Sequence, residues 1–173
     1  MKGEERRDKI LSILMESSNP IKGAELSTMF NVSRQVIVQD IALLRAEGRD
    51  IIATPQGYVL IPEKPGRIRK IIAVKHGEKE IEEELKTIVG LGGSVIDVTI
   101  EHKIYGELTG KLMLKSMYDV EQFILKLKEE GSKPLSQLTE GVHIHTLEAE
   151  SRDIMDRIVE TLRVKGYLIS QEG

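Results

Sequence analysis

The stretch IPEKPG, residues 61–66, divides this chain. Proline has no amide to donate and glycine weakens helix and strand alike, so a segment with both breaks any regular element. The 173 residues therefore read as two small domains, 1–62 and 67–173, joined by a linker at 63–66. Before the break lie three helical patterns and a hairpin. After it, strands and helices alternate, so the class expected is α+β.

In the first half a helix is expected from about Glu4 to Met15, with Ile10, Ile13 and Leu14 as its apolar stripe. A second runs from Gly23 to Phe30 with Leu26, Met29 and Phe30 inward. Ser33 is placed to cap a third, which reaches about Glu47 and carries Ile37, Ile41 and Leu44 on one face. Two short strands then flank Thr54-Pro55-Gln56-Gly57. This order is the winged helix-turn-helix pattern. With the stripe of the third helix packed inward, Gln35, Val38, Gln39 and Ala42 point away. Amides bond adenine bidentately and small apolar side chains meet thymine methyls, so this face suits the major groove. Ser33 and Arg34 stand at the helix start, where free backbone N–H groups favour phosphate. Gln56, beside Pro55, is placed at the wing tip to touch the adjacent backbone. The segment GAELSTMFNVSRQVIVQDIALLRAEGRDI resembles the N-terminal domain of biotin-repressor-type transcription regulators. That likeness implies a homodimer on a palindromic double-stranded operator.

Charge supports this less directly. Residues 1–62 hold eight Lys/Arg and eight Asp/Glu, and the rest hold 17 and 20. Any basic face must come from how the charges are arranged. Cysteine is absent, which excludes disulfides and thiolate sites. The N-terminus lacks the apolar stretch of a signal peptide, no run approaches a membrane span, and a cytoplasmic protein is expected.

In the second half, strands are expected at 67–75, 95–103, 108–114 and 139–146, and helices at 78–91, 119–129 and 151–165. The order β-α-β-β-α-β-α implies a two-layer sandwich, HPr-like or ferredoxin-like, with helices on one face of a mainly antiparallel sheet. All four histidines lie here: His76, His102, His143 and His145. His143 and His145 share a strand face, roughly 7 Å apart, close enough to hold one cation. If the outer strands pair, His76 comes to lie beside His143. A carboxylate from the next helix would complete a site, and geometry leaves Glu78, Glu82 and Glu84 open.

The elements VKH, EHKIYGEL and KPLSQLTEGVHIHTLE resemble the three-histidine, or 3H, domain. That domain follows a biotin-repressor-type helix-turn-helix in niacin-responsive repressors of NAD biosynthesis. The resemblance implies one divalent transition metal at His76, Glu84, His143 and His145, with nickel favoured over zinc or iron. It also implies nicotinic acid as co-repressor and no enzymatic activity. His102 and Tyr105, near the end of the second strand, are candidates to line the effector pocket. Three rivals remain. A phospho-carrier with His76 as acceptor is disfavoured by Glu78 and Glu80, which would repel phosphate. A metal-dependent hydrolase would need a substrate-orienting motif. A repressor for which the metal itself is the signal fits the same ligands. A biotin ligase would need a glycine-rich adenylate motif that the chain lacks.

Overall fold

The computed structural model describes residues 1–61 and 66–169. Of the expected linker, only Gly66 lies within the described residues. The chain divides into two compact units, Met1–Glu63 and Lys64–Gly173. Among the described residues no helix is long and apolar enough to cross a membrane.

The N-terminal unit holds α1 (Gly3–Glu16), α2 (Gly23–Phe30), α3 (Arg34–Ala46) and an antiparallel hairpin of β1 (Ile51–Thr54) and β2 (Gly57–Leu60). Its core joins Ile10, Leu14, Ile21, Leu26, Ile37, Ile41, Leu44 and Ile51. Asn31 ends α2 in the left-handed region at φ 50°. Ser33 then caps α3, its Oγ accepting the Val36 N–H at 3.3 Å. Met29, expected inward, is 54% exposed, because the short α2 turns only Leu26 fully into the core.

The hairpin is fixed from both sides. The Arg45 Nε–H donates to the Ile51 carbonyl at 2.6 Å, and Ile21 and Tyr58 exchange backbone bonds at 3.0 and 2.8 Å. Gly57 has φ +135°, and a Cβ there would lie 2.5 Å from the Ile21 carbonyl, so no larger residue fits.

The C-terminal unit runs β3 (Ile68–Lys75), α4 (Ile81–Gly90), β4 (Ser94–His102), β5 (Gly106–Leu114), α5 (Met117–Glu129), β6 (Val142–Ala149) and α6 (Arg152–Val164). A 3-10 turn, Glu78–Glu80, precedes α4, and another, Leu135–Thr139, lies before β6. The sheet is antiparallel throughout, in the order β3-β6-β4-β5. The outer strands of the sequence are thus neighbours, with Val74 opposite His143 and Ile72 opposite His145. One sheet face carries Ile72, Val74, Val95, Leu114 and Leu147 into a core with Leu85, Ile88, Val120, Ile158 and Leu162. Fully burying each such side chain contributes roughly 1.5–3 kcal/mol. The alternate residues Ile71, Val142 and Ile144 are exposed.

One expected boundary is corrected. The strand expected from Thr139 begins at Val142. The Thr139 hydroxyl bonds the carbonyls of Ser136 and Val142. Glu140 and Gly141 both take positive φ, 53° and 89°, and the Gly141 N–H returns to the Ser136 carbonyl at 2.8 Å. This closed turn has no extended backbone to offer a ladder.

Candidate metal centre and nucleic-acid interface

Strand alternation turns His143 and His145 to the helix-covered face, where both are 3% exposed. The β3–β6 pairing brings the end of β3, and so His76, beside them. Gly141 makes this approach possible: a Cβ there would lie 2.3 Å from the His76 carbonyl oxygen. Helix α4 completes the cluster. Its buried stripe is Ile81, Leu85 and Ile88, and Glu84 lies on that same stripe, one turn from Ile81 and Ile88. Its side chain is 1% exposed. The alternatives lie elsewhere: Glu82 pairs with Lys86 at 3.0 Å, and Glu78 is exposed and bonded to Gln137.

Each of the three histidines is held by its Nδ1. His76 bonds the Gly77 carbonyl at 3.0 Å, His143 the Gly141 carbonyl at 2.8 Å and His145 the Asp97 carbonyl at 2.7 Å. A carbonyl only accepts, so each Nδ1 carries the proton and each Nε2 of a neutral ring presents a lone pair. All three Nε2 atoms turn on one carboxylate. His76 contacts Glu84 Oε2, His143 lies 3.5 Å from the same oxygen, and His145 lies 3.2 Å from Oε1. The donor atoms of His76, Glu84 and His143 all fall within 4.8 Å of one another. His145 joins through the other carboxylate oxygen and through its ring, 4.7 Å from that of His143.

Lone pairs facing a carboxylate repel one another, and burial removes the water that would screen them. Glu84 Oε1 and His145 Nε2 are buried without a hydrogen-bond partner among the described residues. The protein's own groups can answer only by protonating rings. Burial lowers the affinity of His145 for a proton, but the Glu84 charge outweighs it and the group is raised; His76 behaves alike. Burial likewise works to raise Glu84, but the His145 charge and the imidazole hydrogen bonds hold it well below the usual carboxylate range. A divalent cation satisfies the same atoms at once, and imidazole nitrogens pinned by backbone carbonyls are a usual support of metal ligands. The residues present therefore fit a transition metal.

His102 and Tyr105 are not brought to this cluster. The His102 Nδ1 accepts the amides of Ile104 and Tyr105 at 3.1 and 3.3 Å, closing the β4–β5 turn. Tyr105 is 73% exposed. A cavity of about 580 Å³ opens instead beside His76.

In the N-terminal unit, Ser33, Arg34, Gln35, Val38, Gln39 and Ala42 are exposed on α3 or at its start. Gln56 is half-buried in the hairpin turn, its N–H held by Thr54 Oγ1 at 3.1 Å. The one acid of α3, Asp40, is 3% exposed. It accepts from Arg6 at 2.6 and 3.2 Å and lies 3.7 Å from Arg7. The outward face of α3 is thereby free of carboxylate, an arrangement that the neutral charge of this half conceals.

Residues 6–59 match an HTH domain and residues 69–171 the 3H domain. The chain is 45% identical over 168 residues to the probable transcription repressor NiaR of Thermotoga maritima, covering 97% of this chain and 95% of the relative. It is 45% identical over 170 residues to the transcription repressor NadR of Bacillus subtilis, covering 96% and 94%. An uncharacterized protein of Methanothermus fervidus is 35% identical over 118 residues, 62% of this chain and 17% of that one.

Proposed function

Since this chain belongs to the 3H-domain family of helix-turn-helix transcription repressors, we propose that it represses genes of NAD biosynthesis and niacin uptake, with nicotinic acid as co-repressor. In this reading it is a regulator rather than an enzyme and acts in the cytoplasm. Two chains related by a two-fold axis bind a palindromic operator, each α3 in a major groove. Gln35 and Gln39 read base edges, Ser33 and Arg34 hold phosphate, and Gln56 touches the flanking backbone.

One observation carries the sensor half of the reading: three imidazoles, each pinned at Nδ1 by a backbone carbonyl, turn Nε2 on one buried carboxylate. His76, Glu84, His143 and His145 would hold a divalent transition metal, nickel being favoured. The ion would supply a Lewis-acidic centre with positions left over for an effector's nitrogen or carboxylate. The chain's own contribution is to fix ring orientation, exclude water and place the site between β3, α4 and β6. For nicotinate to act as co-repressor, the DNA-competent form must bind it more tightly, and operator DNA must then raise nicotinate affinity by the same factor.

The test is a titration of metal-loaded protein with its operator, selected from random duplexes, in the presence of nicotinate, nicotinamide or NAD, with and without chelator. Nicotinate alone should tighten binding, by about 5–150-fold, and chelation should abolish the effect. If nicotinate leaves operator affinity unchanged while metal raises it, the metal is itself the signal.

A further inference from the structure

Beside the imidazole cluster of the C-terminal unit, a cavity of about 580 Å³ opens next to His76. Its size lies within the range usual for small-molecule sites. Its walls are the turn at His76 and Gly77 on one side and the segment carrying Ser136, Gln137 and Gly141 on the other. Both walls are built on the metal cluster. His76 belongs to cluster and cavity alike, and the Gly141 carbonyl that accepts from His143 Nδ1 sits on the backbone of the cavity wall. A molecule in the cavity therefore touches the same residues that orient two of the cluster's imidazoles.

The charges at the rim decide what kind of molecule fits. Lys75 is exposed and enters no salt bridge among the described residues. Gln137 spends one amide hydrogen on Glu78 across the mouth and has a second to give. Against these donors stand the carboxylates of Glu78 and Glu140. These acids outnumber the lysine, so an anion is held only where it meets Lys75 and the Gln137 amide, and each further negative charge would face Glu78 and Glu140. A flat monocarboxylate satisfies this balance; a pyrophosphate or a dinucleotide does not.

We infer that the effector binds in this cavity rather than at the β4–β5 turn, as a small planar monocarboxylate whose charge meets Lys75 and whose oxygens accept from Gln137. The inference rests on the effector-controlled reading given above and gives that effector its place. It also explains why selectivity would favour nicotinate over NAD: the rim excludes polyphosphate by charge before size is considered. Ligand held there would fix the Leu135–Gly141 segment against the His76 turn, adding to the side-chain bond from Gln137 to Glu78 and the His76 N–H bond to the Gly141 carbonyl at 3.4 Å.

The experiment is calorimetric titration of nicotinate and of NAD into the nickel-loaded full chain and its variants, with metal content measured on each. Lys75→Ala should weaken nicotinate by about tenfold or more, since a charged hydrogen bond is lost, and Lys75→Arg should restore most of it. Gln137→Ala should weaken it several-fold. His102→Ala and Tyr105→Phe should bind as the unmodified chain does, and all should keep their metal. NAD should not bind. If the unmodified chain binds nicotinate but Lys75→Ala and Gln137→Ala bind it equally well, the location is wrong and the effector reading stands. If the unmodified nickel-loaded chain does not bind nicotinate at all, both fall.

Discussion

Each unit buries a carboxylate, and the two are treated differently. Asp40 in α3 is met by Arg6 and Arg7, fixed cations that the fold supplies itself. Glu84 in α4 is met by three imidazoles whose Nδ1 protons are already committed to carbonyls. The first carboxylate is complete within the chain and ties α1 to α3. The second is complete only if protons or a cation arrive from outside. A buried acid with arginine partners is architecture, whereas one faced by lone pairs is a receptor for positive charge.

The largest expected effect tests the receptor half of this contrast. With nickel at a thousandfold excess over its dissociation constant, binding should stabilise the chain by about 4 kcal/mol. Replacing both His143 and His145 with Ala should abolish that gain and leave no bound metal, as read by elemental analysis and by thermal unfolding with and without chelator. Full metal occupancy in the double variant would break the comparison outright.

Removing Arg6 tests the other half. Arg6→Ala leaves Asp40 buried with only the more distant Arg7, and should cost about 3 kcal/mol, near the low end for a broken buried pair. The loss should appear in denaturant unfolding of the N-terminal unit, followed by amide exchange in α1 and α3. Metal affinity should be unchanged. A parallel loss of metal would mean that the two acids are not independent.

These two residues also show what the sequence discloses. His143 and His145 are legible because strand periodicity is two, so their common face follows from spacing alone. Pairing of the outer strands then brings in His76. Glu84 was harder to single out: its helix begins in a run of glutamates that looks like a solvated face. The distinguishing signal is its place on the stripe of Ile81, Leu85 and Ile88. Asp40 is concealed in the same way, an acid on the buried stripe of Ile37, Ile41 and Leu44. The cavity beside His76 was not legible, because it depends on the Leu135–Gly141 turn. That turn is set by Thr139 side-chain bonds and two successive positive φ values, which apolar periodicity does not report.

Turning Asp40 inward should matter for DNA as well. The face left outward holds Arg34, Gln35 and Gln39 without an opposing carboxylate. Gln39→Ala should weaken operator binding by about 2 kcal/mol while sparing nonspecific affinity. Arg34→Ala should weaken both and reduce the salt slope by about 1. Fluorescence anisotropy at several salt concentrations separates the two. If Gln39→Ala changes specific and nonspecific binding alike, α3 supplies charge rather than readout.

The smallest effect sharpens the comparison within a single unit. Glu148, on β6 beyond the imidazole cluster, is an acid of the Asp40 kind: Arg67 and Arg69 each reach it at 2.9 Å. Burial works to raise its carboxyl, but the arginine hydrogen bonds outweigh this and the group lies below its ordinary value of 4.5. A carboxylate depressed in the folded state contributes stability that is fully present above the unfolded value. That stability is lost as pH falls through the folded value, because protonation then costs the native state its ion pairs. Both arginines are partly exposed, so water screens the pairs and the contribution is about 1 kcal/mol or less. Glu148→Gln should therefore lower the urea midpoint slightly at pH 7, and the gap from the unmodified chain should close as the pH is taken below 4.5. Its nickel content should match that of the unmodified chain at every pH where either binds metal. Were Glu148→Gln to lose nickel while Arg6→Ala kept it, the dividing line would run between the two units rather than between arginine-paired and imidazole-faced acids.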